Sequence, residues 1–386
     1  MTINLAAWFA VQRRARSLAV KRRLSLLFGR EFNPFPAAPL GTRLNPSESH
    51  IVDYETAPLA LAWSRAGFGD PDEWQRVARR KFAQLTGYER GDTVPIAQHI
   101  VDQASIGSMR QRRQYLHIAA GRDVPVTLIW PSEQEATRLP VMICLQGTNS
   151  GAHLSWGEVR MPADPIKIAG GADIAIQAAR RGYLAVCIEQ SCFGERRERR
   201  LYRRSPTPCI DAANHALLLG RCLIGERASD VSAVINWLLA GGHGFQIDTA
   251  RLHVMGNSSG GTTALHATAL DERITAVAAC SCVGFVRDTI ARRGDPEGQN
   301  VVPAMLQWFE LDDVIALCAP RPFLTVSARS DHIWPYEGAL RVVDSARRVY
   351  IAMNASMRVS AVPADGGHGY HQNIMWPAFE RMVARS

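Results

Sequence analysis

The residues best suited to chemistry lie between Leu252 and Thr263, in the stretch LHVMGNSSGGTT. An apolar run is followed by Gly256, Ser258 and Gly260 in the pattern G-x-S-x-G, and then by a predicted helix. Glycines flank the serine in this way where a strand turns so sharply into a helix that side chains would collide. Such a turn exposes the serine hydroxyl at the carboxyl edge of a sheet and at a helix N-terminus. The pattern predicts that Ser258 is a nucleophile, with a plain glycine-rich turn as the alternative.

A serine hydroxyl needs a base, and the base needs an orienting group, before the oxygen can attack a carbonyl at neutral pH. After a strand–turn–helix nucleophile, the acid and then the histidine follow along the chain. Asp331 follows the apolar run 323–327, and His368 follows a later apolar run in a glycine-rich loop. We predict that Asp331 is the acid and His368 the base. A turn-forming role is the alternative for Asp331, and His332 and His371 are the competitors of His368.

Two backbone N–H groups are expected to stabilise the oxyanion that forms when the serine attacks. The first belongs to Ser259, which follows the nucleophile. The second should follow the apolar run 139–145, where the sequence continues as Gln146-Gly147-Thr148. We predict that the N–H of Thr148 is this second donor, because Gly147 leaves room for the backbone.

The order of predicted elements around these residues indicates an α/β fold. From residue 141 onward, strands alternate with helices, as in a mostly parallel sheet with helices on both faces. The runs 115–118 and 124–130, separated by a segment that contains Gly121, predict a preceding hairpin. The helices are predicted at 172–181 and 226–240, and the parallel strands at 141–145, 184–188, 252–255, 275–280, 323–327 and 358–362.

Further segments are predicted outside this alternation. Residues 1–95 are predicted to form an N-terminal helical extension with a proline-rich wrap, and residues 96–386 the catalytic domain. Residues 189–225 are predicted to form a lid-like insertion. Its arginines either bind a substrate carboxylate or form a solvated, ion-paired helix face, which the sequence favours. Around a second insertion, 283–311, six aromatic residues either line an apolar pocket or belong to the core: Trp156, Phe285, Trp308, Phe309, Trp334 and Tyr336.

Composition limits the class of protein. The chain has 386 residues, of which 47% are hydrophobic, as expected for a globular enzyme with additions to an α/β core. No apolar run approaches the roughly 20 residues that span a membrane. The net charge of +8 is weak evidence for nucleic acid, so no nucleic-acid partner is predicted. The eight cysteines lack metal-binding spacing and favour a reducing cytoplasm, and neither a metal nor an organic cofactor is predicted.

Residues 1–30 combine apolar residues with clustered arginine and lysine, which predicts a basic amphipathic helix. The segment lacks the continuous apolar region and the cleavage site of a signal peptide. One interpretation is a helix that lies on a membrane surface. The other, which we favour, is a helix packed on the body of the protein or on a second subunit. Homo-oligomerisation therefore stays open.

A set of short segments between residues 110 and 386 resembles an α/β-hydrolase of the dienelactone hydrolase and acetylxylan esterase-like group, which includes cephalosporin deacetylase-like proteins. The segments are Gln146-Gly147, 178–183, Gly225-Glu226-Arg227 with Asp230, the turn at Ser258, 317–322, Asp331 and Gly366-Gly367-His368. The resemblance implies the α/β-hydrolase fold and hydrolysis of carboxylic esters, with acetyl esters of sugars or cephalosporin-like compounds as the usual substrates. Acetylxylan esterases proper have Arg-Gly-Gln where this chain has Glu189-Gln190-Ser191, and His-Glu where it has His368-Gly369.

We therefore expect a serine esterase that acts on a small-molecule ester, either a short-chain ester or an acetyl ester. Ser258 attacks the carbonyl, His368 accepts its proton, Asp331 orients the imidazole, and water releases the acyl group from the serine. A serine peptidase or amidase of the same fold is one alternative. A non-catalytic binding module is another, although an intact serine, aspartate and histidine argue against it.

Overall fold

The computed structural model describes residues 5–30, 32, 34–134, 138–148, 150–200, 203–295 and 297–385. The chain forms two compact units, residues 1–49 and residues 50–386, and each is described by itself. The predicted boundary between an extension and a catalytic domain at residue 95 stays a prediction.

The first unit contains the helix α1 (Leu5–Leu27), which was expected within residues 1–30; residues 1–4 lie outside the described part. The prediction that this helix is amphipathic is wrong. Phe9 and Leu18 are nine positions apart and fall on opposite sides of a helix with 3.6 residues per turn, whereas Arg16 falls on the side of Phe9. Within the described ranges, no helix is both long and apolar enough to cross a bilayer.

A nine-stranded sheet forms the centre of the second unit, in the order β1-β2-β3-β5-β4-β8-β9-β10-β11. The first three strands and the β3–β5 pair are antiparallel, and the other pairs are parallel. The strands are β1 (Ile96–Ile106), β2 (Met109–Ala119), β3 (Arg122–Pro131), β4 (Leu139–Leu145), β5 (Leu184–Ile188), β8 (Ile247–Asn257), β9 (Ala276–Cys280), β10 (Phe323–Ala328) and β11 (Val359–Ala364). The mostly parallel α/β sheet is as predicted.

The strand β1 was not predicted from the sequence. This strand pairs with β2 through two register shifts, between Ala97 and His99 and between Ile100 and Asp102. Each shift interrupts the alternation of apolar and polar residues by which a strand is recognised in a sequence. The predicted hairpin is present as β2 and β3.

Helices cover both faces of the sheet. Alternate residues of each strand point to opposite faces, and β4 accordingly divides its side chains between two apolar cores. Helices α3, α7, α8, α11 and α12 contribute to one core, and α5 and α13 to the other. The remaining helical bounds are α2 (Pro46–Glu55), α3 (Pro71–Thr86), α4 (Asp164–Ala169), α5 (Ile174–Ala179), α6 (Pro208–Leu218), α7 (Leu223–Leu239), α8 (Ser259–Leu270), α9 (Ile290–Arg293), α10 (Met305–Trp308), α11 (Leu311–Ala316), α12 (Tyr336–Ala352) and α13 (Gln372–Val383).

The helix α3 shows how local sequence sets an element's limits. The side chain of Asp70 accepts a hydrogen bond from the N–H of Asp72, Pro71 occupies the first turn, and Gly87 ends the helix at a φ of 64°. The apolar side buries Trp74 and Phe82 in the core beside α7 and α8. The helix therefore packs directly on the layer of helices that covers this face of the sheet.

The predicted lid, residues 189–225, consists of a short 3-10 helix (Gly194–Arg196), the hairpin β6 (Arg199–Arg200) and β7 (Arg203–Arg204), and α6. Residues 201–202 lie outside the described part. The expectation that these arginines lie on one face of a helix is wrong. The backbone of Arg199–Arg200 pairs with that of Arg203–Arg204 in an antiparallel hairpin. Arg196 forms an ion pair with Asp230, at 2.7 Å, and that carboxylate is 2% exposed.

Candidate active site

The nucleophile candidate Ser258 lies at the turn between β8 and α8. Its φ of 52° and ψ of −122° belong to a region that L residues rarely adopt. The N–H of Ser258 donates to the carbonyl of Cys280, at 2.8 Å, which ties the turn to β9. The strained backbone and this hydrogen bond hold the serine at the carboxyl edge of the parallel strands.

The two glycines of the motif are explained by backbone packing. A Cβ atom on Gly256 would overlap the carbonyl oxygen of Gly260, and one on Gly260 would overlap the carbonyl oxygen of Leu145. Backbone atoms cannot move aside as a flexible side chain can, so glycine is required at both positions. The second overlap shows that the turn packs against the end of β4.

The structure brings the three predicted side chains together. Nε2 of His368 lies 3.0 Å from Oγ of Ser258, and Nδ1 lies 2.9 Å from Oδ2 of Asp331. The Asp331 side chain is fully buried and that of His368 is 20% exposed. These distances are those at which an oriented imidazole can take a proton from a hydroxyl.

The two oxygens of Asp331 have different partners. Oδ1 accepts hydrogen bonds from the N–H groups of Ile333, at 2.8 Å, and Trp334, at 2.9 Å, while Oδ2 faces His368. Burial by itself would raise the pKa of Asp331, but the hydrogen bonds from His368 and the two N–H groups outweigh burial and hold this pKa below its ordinary value. The ionised carboxylate therefore accepts Nδ1–H, which leaves Nε2 as an acceptor that faces Ser258.

The competing histidines occupy other positions. The ring of His332 lies 6.4 Å from the ring of His368. His371 precedes α13, and burial lowers its pKa. Of these three histidines, His368 is the one whose imidazole forms a hydrogen bond with Ser258 among the described residues.

The two predicted oxyanion donors lie beside the nucleophile. Ser259 is the first residue of α8, so its N–H has no acceptor within the helix. A Cβ atom on Gly147 would lie 3.3 Å from Cβ of Ser258, which shows that the loop after β4 passes over the serine. Thr148 and Ser259 line the same cavity as Ser258. Their role as donors stays a prediction.

A cavity of about 490 Å³ opens at Ser258. Of the six aromatic residues considered from sequence, Trp334 lines it, and Phe309 belongs to the core. Among the described residues, no cluster of three or more histidine, cysteine, aspartate or glutamate side chains could hold a metal ion. The apolar residues that line the cavity include Leu154, Ile166, Ile174, Ile333, Trp334 and Tyr370. The charged and polar residues that line it include Thr148, Lys167, Asn257, Arg293, Asp295, Glu297, Gln299 and Asn300.

The charged and amide residues of this cavity were not predicted from the sequence. Lys167 lies on α4, and Glu297 and Gln299 lie in the insertion 283–311. None of them belongs to a motif with a recognisable spacing. The length of the insertion was the one available signal, because long loops beside a site commonly carry functional residues.

Glu189 stands at one departure from the acetylxylan esterase pattern. It follows β5, is 6% exposed, and accepts the N–H of Ala152 at 3.0 Å. Burial raises the pKa of Glu189 to about 7. In this chain the Glu189 carboxylate therefore holds the start of the short helix 152–156, whose residue Leu154 lines the cavity.

Comparisons with known proteins agree with this fold. A predicted hydrolase of Bacillus subtilis (strain 168), YtaP, is 26% identical over 192 residues, which are 48% of this chain and 60% of that protein. A predicted acetyl xylan esterase from Bacteroides fragilis NCTC 9343 superposes with a TM-score of 0.65 and 17% identity, over 90% of this chain and 92% of that one. A CE15 glucuronoyl esterase from Teredinibacter turnerae T7901 superposes with a TM-score of 0.60 and 17% identity, over 94% and 98%.

The sequence profile of the Abhydrolase family matches residues 64–333. The matched range includes Ser258 and Asp331 and ends before His368. It covers well over half of the chain and most of the sheet. The chain therefore belongs to the Abhydrolase family and has the α/β-hydrolase fold.

Proposed function

We propose that this protein is a serine hydrolase that cleaves carboxylic esters through an acyl-enzyme on Ser258. The observation that carries the proposal is the chain of hydrogen bonds from Oγ of Ser258 through His368 to Asp331. His368 takes the hydroxyl proton as Oγ attacks the ester carbonyl, and returns it to the leaving alkoxide. The same imidazole then deprotonates a water molecule, which attacks the acyl-enzyme and releases the acid.

We also propose that the N–H groups of Ser259 and Thr148 stabilise the oxyanion of both tetrahedral intermediates. The position of Ser259 at the start of α8 supports this role, because the positive end of the helix dipole lies where negative charge develops. The close approach of Gly147 to Ser258 supports it for the loop after β4.

The cavity supports a substrate with a small acyl group and a polar alcohol. Its apolar lining residues, among them Ile333 and Trp334, are suited to contact a short acyl chain, and its polar lining residues carry both charged and amide groups. The names of two structural neighbours, an acetyl xylan esterase and a glucuronoyl esterase, are consistent with an ester of a carbohydrate. Acetyl and other short-chain esters are therefore the substrates to test.

We place the reaction in a reducing cytoplasm, because the eight cysteines are free and buried. The proposed role of residues 1–30 is packing on the protein or on a second subunit. Subunit mass and liposome binding of a chain without these residues test that role. Loss of self-association supports a subunit contact, and loss of liposome binding supports a membrane contact.

The central test is the substitution Ser258→Ala. We expect the variant to lose at least about 10⁴-fold in turnover of p-nitrophenyl acetate while the melting temperature is kept, because only the nucleophile is removed. The substrate panel contains p-nitrophenyl esters of increasing chain length, acetylated sugars, a cephalosporin and matched amides. Ser132→Ala, at an exposed position outside the cavity, is the control.

A fluorophosphonate probe separates the alternatives, because only an activated serine is labelled. Labelling of the natural chain and its loss in Ser258→Ala support the proposal. Full esterase turnover in Ser258→Ala would show that another group is the nucleophile. An unlabelled natural chain would indicate a binding module, and cleavage of amides without esters would indicate an amidase.

A further inference from the structure

One side chain, that of Gln299, bridges the two residues whose N–H groups we assign to the oxyanion. Its Nε2 donates to Oγ1 of Thr148 at 3.1 Å, and its Oε1 accepts from Oγ of Ser259 at 2.6 Å. Thr148 belongs to the loop after β4 and Ser259 to the first turn of α8. Thr148 and Ser259 thus lie on separate segments of the chain, which also meet where Gly260 packs against the end of β4.

The orientation of the Gln299 amide follows from its partners. Nη1 of Arg227 lies 2.7 Å from Oε1 of Gln299 and 2.8 Å from Oγ of Ser259. A guanidinium can only donate hydrogen bonds, so the amide atom that faces Arg227 must be the oxygen. The amide nitrogen then faces Thr148 and the carboxylate of Glu297, which both accept.

Both ends of this bridge are anchored. Arg227 is 1% exposed, donates to the carbonyl of Ser191 at 2.7 Å, and lies 4.7 Å from the ring centre of Phe193. At the other end, the hydroxyl of Thr148 donates to Glu297 at 2.8 Å. Lys167 donates to the carbonyl of Thr148 at 3.3 Å. The loop after β4 is therefore held by its side chain and by its backbone.

A direct role for Gln299 in substrate binding is disfavoured by its own hydrogen bonds. The side chain borders the cavity but is only 5% exposed. Its two N–H groups face Thr148 and Glu297, and its oxygen already accepts from Ser259 and Arg227. This fills the hydrogen-bonding capacity of an amide.

We propose that Gln299 is a positioning residue that holds the N–H groups of Thr148 and Ser259 at the separation which the oxyanion requires. The inference rests on the proposed ester hydrolysis and adds to it a residue from the insertion 283–311. Preorganised donors stabilise a transition state only if they need not move when charge develops. Gln299 adds a direct link between the side chains of these two residues, beyond the pairing of β4 with β8 and the packing of Gly260 on the end of β4.

The test compares Gln299→Leu with Gln75→Leu. Gln75 is a matched control: it is 6% exposed, and its Nε2 donates to the carbonyls of Ala316 and Ala319, both at 2.8 Å. For Gln299→Leu we expect kcat for p-nitrophenyl acetate to fall about tenfold or more with little change in KM. Gln75→Leu is expected to lower the melting temperature and to keep kcat.

The diagnostic measurement is inhibition by a trifluoromethyl ketone, which forms a reversible hemiketal with the serine and places its oxyanion between the two donors. If Gln299 positions the donors, the affinity for this inhibitor falls by the same factor as kcat/KM. A purely structural role would lower the melting temperature without this parallel loss. Wild-type inhibitor affinity in a folded Gln299→Leu variant overturns the inference.

A second variant covers the case in which Gln299→Leu does not fold. Thr148→Val, at an exposed loop position, removes the hydroxyl but keeps the N–H, and we expect the same parallel loss. Unchanged inhibitor affinity in this variant also overturns the inference. If the natural chain neither hydrolyses esters nor reacts with a fluorophosphonate, the proposed function fails and the inference fails with it. An active natural chain with unaffected variants rejects the inference alone.

Discussion

Asp331 uses its two carboxylate oxygens for different purposes, and this division determines what can replace it. Oδ1 faces the N–H groups of Ile333 and Trp334, and Oδ2 faces Nδ1 of His368. An asparagine at this position has one acceptor where the aspartate has two. Its carbonyl oxygen would face the two N–H groups, and its NH2 group would face the imidazole.

The variant Asp331→Asn should therefore fold and be nearly inactive. An NH2 donor requires an unprotonated Nδ1, so the proton of His368 moves to Nε2, which can no longer accept from Ser258. We expect kcat for p-nitrophenyl acetate to fall by about 10⁴-fold. Thermal unfolding checks the fold, and Asp344→Asn, at an exposed position, is the control. A loss of less than tenfold would show that Asp331 does not orient the base.

At the scale of elements, the strand–turn–helix of β8 and α8 depends on contact between backbones. Gly256 lies against Gly260, and Gly260 lies against the end of β4. The loop after β4 carries Thr148, so the packing that shapes the turn also sets the position of the second proposed donor.

The substitution Gly260→Ala should be destabilising. Its Cβ would overlap the carbonyl oxygens of Leu145 and Gln146, which can only move with their strand, and such overpacking costs about 3 kcal/mol. We expect a lower free energy of unfolding in guanidinium and weaker fluorophosphonate labelling.

The matched control is Gly338→Ala in α12, where an added Cβ meets nothing within 4 Å. This variant should gain roughly 0.5–1 kcal/mol in helix stability. Equal stabilities of the two alanine variants would contradict the packing argument.

For the whole molecule, buried titratable groups make stability depend on pH. His266 on α8 is 3% exposed, packs 5.5 Å from the ring of Phe82, and lies with Nδ1 2.8 Å from the carbonyl oxygen of Thr262. Burial lowers the pKa of His266 to about 4 from an ordinary value of 6.5. Between these values the unfolded chain binds a proton that the folded chain does not, so stability is present above 6.5 and is lost as the pH falls towards 4.

The variant His266→Gln should therefore be less sensitive to acid. Between about pH 7 and about pH 5, the natural chain should lose roughly 2 kcal/mol more of its unfolding free energy than the variant. Guanidinium unfolding at the two pH values measures this difference, and His50→Gln, at an exposed position, is the control. Glu189, whose pKa is raised to about 7, has the opposite effect on the pH dependence of stability. Because Glu189 is present in both chains, its contribution cancels in the comparison. Equal losses would contradict the assignment.

Features that depend on local chemistry could be predicted from the amino-acid sequence. Ser258 between its glycines, and Asp331 and His368 after apolar runs, could be named because strand ends and tight turns need particular residues within a few positions. The parallel strands were found for the same reason. β1 was missed because its bulges interrupt the alternation of apolar and polar residues. α1 was wrongly predicted to be amphipathic because composition does not determine on which side of a helix each residue lies.

The distances between the side chains of the site, in contrast, follow from the folded structure. His368 lies 110 residues from Ser258 in the chain, yet their side chains are 3.0 Å apart. Gln299 and Arg227, separated by 72 residues, likewise meet at Ser259 without any motif that marks them. Such contacts depend on how distant segments cross the edge of the sheet. That crossing is set by packing of the whole core, which no short stretch of sequence encodes.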